Sequence, residues 1–262
     1  MISLPTSAPN PFSRILVIKA DRLCADALGQ VIRRLFPEAE LMIAHRLADA
    51  NLALVGGTFD LMVSGIELPD GDTLDLIAAV TSHPRRISSV LIVTGRHESR
   101  ILESLRILPI EGMCDSRTDG IEEVERGLRS LAAGKSYWST SALSALQDCM
   151  TATTIHRLLT PTEELTFSIL GDGCDDGIAA AKLNLTVASV SSLRREIHRK
   201  LRLQHRGELV RLAVQTGFVR LSKMGTFRPA FATMLSLCSS RKIPQAGQPV
   251  TLEAPSASCA II

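Results

Sequence analysis

The chain is 262 residues long, 45% apolar and only 3% aromatic. At about 150 residues per domain this gives roughly two domains and a remainder, with cores of Leu, Ile, Val and Ala. The 29 Lys and Arg against 27 Asp and Glu leave +2, which excludes a polybasic coat or an acidic tail protein and leaves local patches open.

The six cysteines (Cys24, Cys114, Cys149, Cys174, Cys238 and Cys259) include no Cys-x-x-Cys pair, and no His cluster accompanies them. They read as free thiols in a reducing compartment, not as a disulfide or zinc framework. The opening MISLPTSAPNPFSR lacks the apolar run of a secretory signal. No apolar run approaches the ~20 residues that cross a bilayer. The expectation is a cytoplasmic protein without membrane contact.

Residues 1–13 carry Pro and Ser and are expected to be disordered. Short apolar runs then alternate with helical periodicity. Strands are expected at 14–18 (RILVI), 40–45, 59–64 (FDLMVS), 89–94 (SVLIVT) and, more weakly, 110–114. Helices are expected at 23–36, 46–55, 73–80, 98–107 and 119–133. The Asp72 side chain is placed to cap the third, and Ile121, Val124, Leu128 and Leu131 share one face of the last. Strand–helix alternation predicts a doubly wound, five-stranded parallel α/β sheet over residues 14–133. Residues 134–157 read as a linker with one amphipathic stretch, and 158–221 as an all-α domain of four helices. Residues 222–262 read as a tail: a helix over 229–238 with Phe231, Met234, Leu235 and Cys238 on one side, then disorder.

The words RILVI, FDLMVSGIELPDGDTLDLI, VLIVTG and AAGKSYWS resemble the receiver domain of response regulators of the LuxR/FixJ type. The resemblance implies a phosphoacceptor Asp, an acidic pair for Mg²⁺, a Thr/Ser and a Lys. Aligned position by position, the acidic pair falls on Lys19 and Ala20 and the acceptor on Gly65. The Thr is kept as Thr94, and the Lys falls on Ser116. Gly65 offers no carboxylate to accept a phosphoryl group, so the resemblance is to a degenerate pseudo-receiver without a phosphoacceptor. Asp21 and Glu67 are acids displaced from the required positions. Lys19 is expected to lie on a solvated surface or to pair with one of them.

Residues 159–213 resemble, without gaps, the LuxR-type helix-turn-helix domain of the same family. Thr160, Pro161 and Glu163 form a capping box with Pro at the first turn. Asp175 or Asp176 caps a second helix to about Leu183. Asn184 and Leu185 turn the chain, Thr186 caps a third helix over 187–201, and a fourth covers 206–216. Val190, Leu193, Ile197 and Leu201 form the buried stripe of the third. Residues 194–206 hold six Lys/Arg against one acid, a net of +5, whereas 163–176 hold five acids and no base. The near-neutral total therefore conceals a polarised domain. In this family the third helix enters DNA. Arg194, Arg195, Arg199 and Lys200 are the candidate phosphate contacts, and Ser189, Ser191 and Ser192 the candidate base contacts. The family binds as dimers, which makes Leu209, Leu212, Ala213 and Phe218 candidate dimer contacts.

The expected function is a DNA-binding transcription regulator of the two-component type. It would act as a homodimer on double-stranded DNA, with a phosphorylation-independent receiver-like domain for dimerisation or partner sensing. The competing reading is a protein-interaction module that modulates another regulator without specific DNA binding. A third is a phosphorylated regulator using the displaced acids. A protein partner would dock on the receiver-like domain or the tail. The terminal Cys259-Ala260-Ile261-Ile262 fits a prenylation pattern, but no polybasic stretch precedes it. No nucleophile–base set, phosphate-cradling loop or metal-ligand spacing is found, so no catalytic residue, metal or cofactor is expected.

Overall fold

The computed structural model describes residues 11–82, 87–151 and 155–240, with side chains to residue 236. The expected disorder of the first ten residues and of 241–262, the Cys238 side chain and the Cys259–Ile262 pattern lie outside the described residues.

The N-terminal part runs β1 (Arg14–Ile18), α1 (Arg22–Leu35), β2 (Glu40–Ala44), α2 (Leu47–Gly56) and β3 (Leu61–Ser64). A short antiparallel hairpin follows, β4 (Glu67–Leu68) and β5 (Gly71–Asp72). Then come α3 (Leu74–Ser82), β6 (Ser89–Thr94), α4 (Ser99–Ile107), β7 (Gly112–Asp115), α5 (Ile121–Ala132) and β8 (Tyr137–Trp138). The main sheet has the order β2-β1-β3-β6-β7-β8, and every pairing in it is parallel.

Alternation along the strands fills both faces. Ile15, Val17, Leu61 and Val63 pack with Leu28, Ile32 and Leu128 of α1 and α5. Leu16, Ile18, Met62 and Ile92 pack with Ala50, Ile77 and Leu105 of α2, α3 and α4. Strands covered on both sides are why these runs read as continuously apolar. Asp72 does cap α3, its carboxylate accepting from Leu74 N at 3.1 Å. Val124, Leu128 and Leu131 are buried on α5, but Ile121 at its first residue is 37% exposed.

The expectation of five strands needs correcting to six. Glu111 O accepts from Tyr137 N at 2.9 Å and Met113 O from Ser139 N at 3.0 Å, which draws the chain after α5 onto the sheet edge. A two-residue strand carries no period to read. The linker over 134–157 is likewise structured. Within it, α6 (Thr140–Thr151) buries Ala142 against the sheet core, and α7 (Ile155–Leu158) leads into the next domain. At the N-terminus, Phe12 is 3% exposed and meets Phe36 edge-on at 5.4 Å, so the ordered domain begins before residue 14.

The helical domain contains α8 (Pro161–Leu170), α9 (Asp176–Leu183), α10 (Val187–Leu201) and α11 (Arg206–Gln215). Its core centres on Phe167 and Phe218, rings edge-to-face at 5.1 Å. The chain then forms the antiparallel hairpin β9 (Arg220–Ser222) and β10 (Gly225–Phe227), followed by α12 (Phe231–Ser240). Residues 222–240 are therefore part of the folded body, not a tail. Met234 is buried in the helical core and Phe231 partly so. Leu235 is 40% exposed and leaves the expected stripe.

The two parts are joined through their polar groups. Asp75 at the start of α3 accepts from Ala232 N at 3.1 Å, Thr233 N at 3.0 Å and Thr233 Oγ1 at 2.9 Å, capping α12 from across the seam. Arg100 of α4 donates to Ala230 O at 3.1 Å and lies 5.5 Å from the Phe218 ring centroid. In the opposite direction, Arg220 donates to Glu67 Oε1 at 3.2 Å, Leu68 O at 2.8 Å and Gly71 O. Gly217, at φ +81°, lets the end of α11 approach α4 so closely that a Cβ there would lie 2.8 Å from Glu98 Cβ. Among the described residues no helix is long and apolar enough to cross a membrane.

Candidate functional site

The receiver-like positions gather at the C-terminal ends of β1, β3 and β6. Lys19 runs across Gly65: a Cβ built on Gly65 would lie 3.1 Å from Lys19 Cδ and 3.4 Å from its Nζ. The amine donates to Val93 O at 2.8 Å. Burial pushes the Lys19 amine below its ordinary pKa, opposed by Cys24 and Asp21. A lysine thus occupies the space that a side chain on Gly65 would need. The expected alternatives for Lys19, solvated or ion-paired, are both replaced by this carbonyl contact. No ion pair joins it to Asp21 or Glu67 among the described residues.

Both displaced acids have other partners. Asp21 is the N-cap of α1 and accepts from Cys24 N at 2.7 Å; that bond holds its carboxyl below the ordinary value. Glu67 bridges Arg96 at 3.1 Å and Arg220 at 3.2 Å. Thr94 is 3% exposed, and its hydroxyl accepts from Arg96 N at 3.1 Å, a local turn bond. Ala20 packs on the sheet core. Ser116 N donates to Thr94 O at 3.1 Å.

One acid here was not singled out from the sequence. Asp115, 2% exposed at the end of β7, accepts from Arg117 N at 2.9 Å and Thr118 Oγ1 at 3.1 Å and lies 3.1 Å from His97 Nε2. The Asp-x-Arg-Thr spacing of a side-chain-closed turn was the available signal. Among the described residues no group of His, Cys, Asp and Glu is arranged to hold a metal.

The helix-turn-helix is built as its caps dictate. Thr160 and Glu163 form the reciprocal capping box with Pro161 in the first turn. Asp175 caps α9 through Ile178 N, and Thr186 caps α10 through Ser189 N. Asn184 makes the turn at φ 53°. Val190 and Ile197 are fully buried, with Leu201 partly buried against the same core.

The seven candidate DNA contacts divide into two groups. Ser189, Ser192, Arg195 and Arg199 are exposed on the open side of α10, and Ser191 is half-buried. Among the described residues Arg195 reaches only Ser192 Oγ at 3.2 Å, and Arg199 pairs with its own-helix neighbour Glu196 at 2.7 Å. Arg194 and Lys200 turn inward. Arg194 forks onto the Asp176 carboxylate at 2.9 and 3.0 Å, and Lys200 donates to Glu163 at 2.6 and 2.8 Å. These two brace α10 against α9 and α8. Arg202, exposed at φ 55° just past α10, adds a cation beside the open face.

The expected dimer contacts are corrected. Leu209, Ala213 and Phe218 are each 0% exposed, and Leu212 packs partly buried against the same core. Their helical spacing marks a core stripe, which from sequence has the same period as an interface stripe.

No protein-family model and no curated protein matches the chain. Solved structures do. RcsB of Salmonella enterica serovar Typhimurium, bound to promoter P1flhDC with a phosphomimetic, aligns with TM-score 0.52 at 17% identity, over 78% of this chain and 98% of that one. A structure of two RcsB dimers on two parallel DNAs aligns at 0.51 and 16%, with the same coverage. A two-component response regulator RcsB–DNA complex gives 0.51 and 17%, again over 78% and 98%. The chain shares the two-part fold of these structures, a parallel α/β domain followed by a helical domain, and the likeness is one of fold.

Proposed function

We propose that this protein is a DNA-binding transcription regulator that acts as a dimer, with a receiver-like domain that works without phosphorylation. The observation that carries the reading is the outer face of α10. Beyond the Asn184 turn it presents Ser189, Ser192, Arg195 and Arg199, held by caps and by two inward ion pairs. A helix presented in this way suits the major groove, with Arg195, Arg199 and Arg202 toward phosphates and the serines toward base edges. The Lys19–Gly65 contact supports phosphorylation independence, because it fills the acceptor's place with a cation. Dimer contacts would come from surfaces other than the buried side of α11.

The competing reading, a protein-interaction module without specific DNA, draws on one observation: two of the four candidate phosphate cations, Arg194 and Lys200, are spent inside the domain. Selection of bound DNA from a random pool by the full chain, repeated across salt, separates the two. The regulator reading expects an enriched inverted repeat whose binding is lost in Arg195→Ala/Arg199→Ala. Weak binding with no enriched motif, falling steeply with salt, would leave only phosphate contact and favour the interaction module.

A further inference from the structure

Between the C-terminal edge of the main sheet and the β9–β10 hairpin lies a cleft of about 650 Å³. Its floor is Lys19, Gly65 and Thr94, at the ends of β1, β3 and β6. Strand order reverses between β1 and β3, and open α/β sheets bind ligands at such a switch point. The volume falls within the roughly 300–1,000 Å³ of small-molecule sites.

The charge around this cleft is unbalanced. Four cations line it, Lys19, Arg96, Arg220 and Lys223, against two acids, Asp21 and Glu67, and Arg96 also pairs at 2.7 Å with Glu98 just outside the lining. Asp21 is occupied in capping α1, and Glu67 divides its two oxygens between Arg96 and Arg220. Among the described residues the Lys19 amine bonds only to a backbone carbonyl. Arg220 is 8% exposed and its Nε has no hydrogen-bond partner. Lys223 has no partner among the described residues. The rest of the lining includes three apolar side chains with accessible surface, Ala20, Pro69 and Met224.

We infer that this cleft is a binding site for a small organic anion, a carboxylate or phosphate monoester with a compact apolar body. The acidic group would sit between Lys19 and Lys223, and the body against Ala20, Pro69 and Met224. A bare inorganic ion would leave the apolar walls unused, and a neutral molecule would leave the positive charge unpaired. One wall of the site belongs to β9 and its turn, which follow directly on the helical-domain core at Phe218. A bound anion would therefore clamp that hairpin to the receiver-like domain, a non-covalent signal at the place of the missing acceptor. Its effect on DNA rests on the function proposed above; the binding itself does not.

The test is amide chemical-shift titration of the full-length protein with four probes. Hexanoate and hexyl phosphate carry both features, hexanol carries only the body, and inorganic phosphate only the charge. Saturable shifts confined to residues around Gly65, Gly95 and Met224 are expected with the first two, roughly tenfold tighter than with either control, about one ion pair's worth. Lys223→Glu, at an exposed position, should weaken hexanoate roughly tenfold without changing Tm. Hexanol binding as tightly as hexanoate, phosphate as tightly as hexyl phosphate, shifts centred elsewhere, or indifference to Lys223→Glu would each overturn the site. A protein that binds hexanoate in this way yet enriches no DNA would overturn the proposed function and leave the site standing.

Discussion

Arg220, at the end of the helical domain, reaches 3.2 Å from Glu67 on the receiver-like hairpin, and its guanidinium also satisfies the Leu68 and Gly71 carbonyls. It is 8% exposed. Arg220→Ala removes one cation and orphans two carbonyls at the seam, which should cost about 2–4 kcal/mol. Urea unfolding should then separate into two transitions, one per part. A single unshifted transition would show that the seam contributes little.

The two inward cations of α10 and its two outward ones should behave oppositely. Lys200→Ala leaves Glu163 buried without its partner and should destabilise the helical domain by about 1–3 kcal/mol. Arg195→Ala and Arg199→Ala should each stay within about 0.5 kcal/mol in stability. Instead they should lower the slope of log affinity against log salt by about 1 per residue. Thermal melts and DNA titrations across salt check both halves.

Leu209 tests whether the inner side of α11 is core or interface. As a fully buried core residue, Leu209→Ala should destabilise the domain by about 2–5 kcal/mol. Analytical ultracentrifugation should find the association state of the remaining folded protein unchanged. A stable, folded variant with weakened association would restore it as an interface residue.

Burial beside Asp75 pushes the Asp72 carboxyl up to about 6 from its ordinary 3.8. The folded chain then holds a proton that the unfolded chain has released. Stability should fall as pH rises between these two values and level off above them. Asp72→Asn keeps an acceptor for Leu74 N and removes the charge. It should lose this slope and exceed the parent above pH ~6 by about 1–3 kcal/mol. Urea titrations of both proteins across this range measure it; parallel curves would contradict the assignment.

Phosphoryl transfer to this domain should be absent. Acetyl phosphate with Mg²⁺ should leave the protein's intact mass unchanged. Gly65→Asp should also stay unlabelled, because the new carboxylate would meet the Lys19 amine, 3.4 Å from its Cβ, in place of a metal ion. Labelling of the unaltered protein would return the displaced acids to consideration.

The amino-acid sequence by itself determined the elements whose causes are local. Thr160 with Glu163, Asp175 and Thr186 cap helices through bonds made within three residues. The alternating apolar runs settle a parallel, doubly covered sheet, since both strand faces must be buried. The absence of a carboxylate at Lys19, Ala20 and Gly65 was equally legible, because it is a matter of residue type. Tertiary structure decided what depends on distant partners. The strand at Tyr137 exists only because Glu111 and Met113 offer it an edge. Residues 222–240 fold because Asp75 caps α12 and the helical core takes Met234. Arg194 and Lys200 face inward because Asp176 and Glu163 lie there. Helical periodicity reports which residues share a face, but only the packed chain determines whether that face meets a core, a partner or solvent.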